Sequence, residues 1–184
     1  MITETERSNS IGLVSGLLVG AAVAAGLGVY GNVHDPARSS LVTLIFTNTI
    51  NLKVWLATMA FTLACFQLFT ALRIYGRIGK PPTPRWMPSA HRVSGTTAFW
   101  LTIPVAYHCL WSLGFQADQP RVLVHSTLGC AFFGALAAKV LFVRSRRLPD
   151  WALPVAGGLV FTALVAIWVT SSLWFFVNVD FPGF

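Results

Sequence analysis

Long apolar runs, the first of them without a charge from Ile11 to Tyr30, alternate with short polar joints along this chain. Five runs stand out, at residues 11–30, 54–72, 93–113, 122–143 and 153–177. Each is close to the ~20 residues that a helix rising ~1.5 Å per residue needs to cross ~30 Å of hydrocarbon. They predict an all-α integral membrane bundle of five transmembrane helices, a single membrane domain over residues 1–184. The segment 40–51, with Thr43, Thr47, Asn48, Thr49 and Asn51 among Leu41, Leu44, Ile45 and Phe46, is too polar to span. It lies at the interface or extends the second helix outward. Ala22 to Ala25 imitate a signal-peptide cleavage site, but Glu4 and Glu6 in the leader and the length of the first run favour a retained helix.

Composition agrees with this reading. The chain is 55% hydrophobic and 10% charged, whereas a water-soluble domain carries about 25% charge. The net charge of +7 is informative by position and does not point to nucleic acid. Arg73, Arg77, Lys80, Arg85 and Arg92 crowd the second-to-third joint, and Lys139, Arg144, Arg146 and Arg147 the fourth-to-fifth. The opposite joints hold Arg38 with Lys53, and Arg121 alone. Because basic residues resist translocation, the N-terminus is expected inside and the C-terminal residues 178–184 outside. Pro81, Pro82, Pro84 and Pro88 make the second-to-third joint a stiff basic spacer, suited to anionic lipid headgroups.

Cys65, Cys109 and Cys130 all fall inside spans, without close spacing and with no CxxCH sequence, and read as small apolar filler. Gly16 with Gly20, Ala131 with Ala135, and Gly134 with Ala138 read as small-residue packing seams.

The histidines carry the candidate chemistry. An imidazole inside a span is costly unless used. His108 lies about five residues, ~8 Å, inside the outer end of the third helix, and His125 about three residues, ~5 Å, inside the start of the fourth. Two imidazoles at one level on different helices suit the axial positions of a b-type haem iron, or a hydrogen-bonded pair. Gly95 follows His91 by four residues and Gly129 follows His125 by four, which leaves the same helix face bare for a flat macrocycle. Pro104, one turn before His108, kinks the helix near the ring or is an ordinary membrane-helix proline. Tyr107, Trp111, Ser126 and Thr127 are candidate acceptors for fixing an imidazole tautomer. His91 is about 25 Å along the helix from His108. It is either the ligand of a second, inner haem with Arg92 as propionate partner, or a capped interfacial histidine. Met59 lies at nearly the depth of His108 and offers a thioether, or fills core. His34, beside Asp35, reads as a solvated loop residue, with a metal or pH-sensing role as the alternative. Packed neighbouring helices are only ~8–10 Å apart, so a haem between the third and fourth requires them to splay or to pack out of sequence.

The His-Arg-x-x-Gly opening of the third span, the second histidine near its other end, and the His-x-x-x-Gly opening of the fourth resemble the haem-bearing helices of transmembrane b-type cytochromes and ferric-reductase-like proteins. Residues 91–176, including PVAYHCLW and LPVAGGLVFTALV, are also similar to an uncharacterised bacterial multi-pass membrane-protein family. The cytochrome resemblance implies electron transfer, with His108 and His125 as metal ligands and His91 as an inner one. The spacing from His91 to His108 is longer than is usual in that superfamily, and the fifth helix has no histidine. The sequence therefore leads to a haem b protein of the bacterial cytoplasmic membrane exchanging electrons with a quinol or an extracytoplasmic redox partner. The alternative is a non-catalytic subunit of a membrane complex with structural histidines. A transporter using the outer histidines for zinc or copper is a third reading, disfavoured by the lack of carboxylates inside the spans.

Overall fold

The computed structural model describes residues 4–37, 43–145 and 148–179. Arg38, Arg146, Arg147 and the tail beyond Val179, used above to orient the chain, lie outside them. The described residues form five helical rods. They are α1 (Glu4–Val33), α2 (Thr49–Ile74), α3 (Met87–Tyr107) running into a π-helical segment (His108–Leu113), α4 (Pro120–Arg144), and α5 (Ala152–Trp168) continued by a second π segment (Val169–Leu173) and α6 (Trp174–Asn178). No strand occurs among the described residues.

Four of the rods are long and apolar enough to cross a membrane: Ser10–Val33, Thr49–Ile74, Pro120–Arg144 and Ala152–Asn178. The third is not among them. Its helix begins earlier than the apolar run, at Met87, and carries His91, Arg92, Ser94, Thr96, Thr97 and Thr102. The four spans mark a membrane protein, and so do the outward side chains. Leu18, Val143 and Val177 are 65%, 64% and 73% exposed, an arrangement whose natural solvent is hydrocarbon rather than water. The 40–51 segment ends as a cap: the Asn48 side chain accepts from Asn51 N at 2.8 Å and starts α2 at Thr49.

The chain divides into two compact units. The first contains Met1–Pro36 and Leu113–Ile167, the second Ala37–Ser112 and Trp168–Phe184. In the first, α1 packs on α4 along the small-residue seam. A Cβ at Gly20 would stand 2.7 Å from the Gly134 carbonyl oxygen and 3.0 Å from the Ala138 Cβ, so the two backbones meet directly. Ala138, Phe142 and Ala156 form a buried cluster joined by Leu13, Leu148 and Leu153, which brings α5 onto the pair. The carbonyl of Gly31, left without a helical donor at the end of α1, accepts from Phe115 N at 2.6 Å. Gly114 makes this contact: its φ is +70°, and a Cβ there would stand 2.8 Å from the Gly31 oxygen. Gly114→Ala is expected to cost about 2 kcal/mol from left-handed strain and crowding together, read as a lowered unfolding temperature in detergent.

In the second unit α2 packs on α3 and receives the end of the last rod. Trp168 stacks on Phe61, with centroids 4.4 Å apart, and its indole N–H donates to Thr58 Oγ1 at 3.0 Å. The buried polar residues among those described (Asn51, Thr70, Ser94, Thr102, His108, Ser112 and Ser172) all belong to this unit. The buried residues clustered in the first unit are apolar.

Candidate functional site

His108 stands where α3 gives way to the π segment, and it is 1% exposed. Pro104, inside α3, has no N–H to give to the preceding turn. Four residues later the helix widens, as π turns do, often at functional positions. The His108 ring folds back over this turn, with Nδ1 2.7 Å from the Pro104 carbonyl oxygen. A carbonyl only accepts, so Nδ1–H is the donor, and in the neutral ring Nε2 keeps its lone pair. That Nε2 is fully buried and has no hydrogen-bond partner.

An orphaned ring nitrogen in a packed interior costs about 1–3 kcal/mol and calls for an explanation. The group that fixes the tautomer is thus the backbone of Pro104, in place of the side chains considered from sequence. Tyr107 lies edge-on to the ring at 5.7 Å and stacks with Trp111. Ser126 Oγ accepts from Gln116 N at 3.3 Å. Thr127 is exposed.

The other sequence candidates fare differently. His91 is tied into the contact between α2 and α3. Thr70 Oγ1 donates to a carbonyl of its own helix, Phe66 or Gln67, each at 3.0 Å, and accepts from His91 Nδ1–H at 2.7 Å. The Gln67 amide donates to the His91 carbonyl and, at 2.6 Å, to Ser94 Oγ, which in turn donates to the Ala90 carbonyl at 2.7 Å. A Cβ on Gly95 would stand 2.9 Å from Gln67 Oε1, so this glycine makes room for a side chain of α2. Arg92 is exposed.

His125 belongs to the first unit, partly buried on α4, and His108 to the second. Gly129 has nothing within 4 Å of where a Cβ would be, so the face four residues beyond His125 is open. Met59 is half exposed. His34 stacks on Tyr30 with centroids 5.0 Å apart, at the end of α1. The cysteines are free thiols. No group of three or more His, Cys, Asp or Glu side chains among the described residues could hold a metal ion.

The Gln67–Thr70–Ser94 network is the part of the site that apolar runs conceal. Its signal was Gln67 and Thr70 themselves, polar residues inside an otherwise apolar span. Thr70→Val keeps the shape and removes the acceptor of His91. It is expected to lower stability by about 1–2 kcal/mol, measured by denaturant titration in mild detergent.

A family model described as a family of unknown function (DUF6529) matches residues 13–183. The chain belongs to that family. No curated protein and no solved structure matches the chain. The DUF6529 match takes in every histidine and both π segments.

Proposed function

We propose that this DUF6529 member is a membrane-embedded b-type haem protein that carries electrons to or from a quinol or an extracytoplasmic partner. The observation that carries the reading is His108 Nε2: buried, unpartnered, and held in the lone-pair tautomer by the Pro104 carbonyl. Haem-ligating histidines need this arrangement, an outer N–H anchored on an acceptor and the other nitrogen free for iron. His108 would hold the iron through Nε2, and the sequence reading gives His125 as the residue that would supply the other ligand. A bound haem supplies reversible one-electron chemistry at its iron. The protein's part is to aim the ring, fix its proton on Nδ1 and keep water from Nε2. The finer topology of this reading has five spans, with the N-terminus inside and the C-terminus outside a bacterial cytoplasmic membrane.

A second reading, a non-catalytic membrane subunit with structural histidines, is favoured at His91. There the imidazole, Thr70 and Gln67 form a hydrogen-bonded link between α2 and α3. With Gly95 filled by Gln67, this end of α3 gives no support to a second, inner haem.

The visible spectrum of detergent-purified full-length protein from haem-replete cells separates the two readings. The haem protein shows a sharp Soret band with α and β bands on reduction. Those bands are expected to be lost in His125→Ala and kept in His91→Ala. A featureless spectrum for the parent protein leaves the structural subunit.

A further inference from the structure

Within the first unit, α1, α4 and α5 leave an open apolar groove of about 300 Å³. Its floor is nearly bare because Gly20, Gly134 and Ala138 bring the helices together with no side chain larger than a methyl. On α1 the lining runs from Leu13 to Ala24, and on α4 from Ala131 to Phe142, about 16 Å at ~1.5 Å per residue. That is one leaflet, half of the ~30 Å hydrocarbon core. One end lies at the α4–α5 connection, where Trp151 lines it, and the other stops in mid-helix.

The end at the connection is basic. Lys139 follows the lining residue Ala135 by four and precedes Phe142 by three, so it shares their face. Arg144 is exposed at the helix end. Arg146 and Arg147 follow in the sequence, and α1 begins at this same end with Glu4, Glu6 and Arg7, so that with Asp150 the basic residues outnumber the carboxylates five to three.

We propose that this groove binds one acyl chain of an anionic phospholipid, with its phosphate held at the Lys139 and Arg144 end. The length decides against a partner transmembrane helix, which would need a seam through both leaflets. The charge decides against the isoprenoid tail of a quinol, whose headgroup carries no anion for these cations. Trp151 at the mouth sits where aromatic rings prefer the headgroup level.

The test is native mass spectrometry of the delipidated full chain, titrated with phosphatidylglycerol and with phosphatidylcholine of identical acyl chains. Wild type is expected to bind phosphatidylglycerol about thirtyfold more tightly, the order expected for two cations near a headgroup. The double variant Lys139→Gln, Arg144→Gln should bring the two lipids level. Ala135→Phe, which places a ring in the groove, should weaken both at least about tenfold with helical circular dichroism unchanged. If that variant loses helicity, Leu17→Trp on the exposed groove wall serves the same purpose. Equal binding of both lipids by wild type overturns the proposal. So does displacement of phosphatidylglycerol by a long-tailed quinone, or a wild-type dimer that Ala135→Phe dissociates.

Discussion

His108→Leu is expected to abolish the Soret band of haem-replete protein while leaving its fold intact. Leucine has comparable bulk and no polar atoms, so the substitution removes the Nε2 lone pair and the Nδ1–H bond to Pro104 together. The lost hydrogen bond is worth about 0.5–1.5 kcal/mol, and relief of the orphaned nitrogen returns about 1–3 kcal/mol. In protein without haem, stability should therefore hold level or rise, and helical circular dichroism should be unchanged. If His108 were a structural histidine, its replacement would lower the unfolding temperature and move no visible band. A variant that keeps the full Soret absorbance excludes His108 as a ligand. The paired readout separates ligation from packing because the two roles move stability in opposite directions.

The second large effect lies in the first unit. Gly134→Leu is expected to destabilise the α1–α4 contact at the upper end of the range for overpacking, about 3 kcal/mol. A Cβ alone at this position falls on the Gly20 carbonyl and stands 2.8 Å from the Ala24 Cβ. Backbone atoms cannot rotate aside as a flexible side chain can, so the helices must separate. Gly134→Ala should show a smaller loss in the same direction. Gly129→Ala, where nothing lies within 4 Å, should be nearly silent. Unfolding temperatures of the three variants in one detergent give the series, and equal values for Gly134→Leu and Gly129→Ala would overturn the assignment of the seam.

The sequence carried the spans more clearly than their partners. The apolar runs at 54–72 and 122–143 lie inside Thr49–Ile74 and Pro120–Arg144, because hydrocarbon crossing is a matter of length and polarity along one helix. Gly20 and Gly134 were visible as packing residues, yet nothing in either seam says that each is the other's neighbour. The third rod departs from a plain apolar span because its polar side chains bond within the unit: Ser94 joins the Gln67 network and Thr102 returns its hydroxyl to the Phe99 carbonyl at 2.7 Å. The partner of His108 was harder still. It is a backbone carbonyl, which every residue has, and the π turn that begins at His108 has no residue signature of its own. Pro104 was readable as a helix disturbance, but its use as an acceptor needed coordinates.

The division of the chain into interleaved segments has a consequence for biosynthesis. α2 can find α3 as soon as both have left the ribosome, since they are consecutive. α1 cannot settle, because the glycine face that fits α4 must wait while the whole intervening pair is translated, on the order of ten seconds at ~5–20 residues per second. For that interval α1 stands unmatched in the bilayer, and the insertion machinery or surrounding lipid must shelter it until its mate arrives.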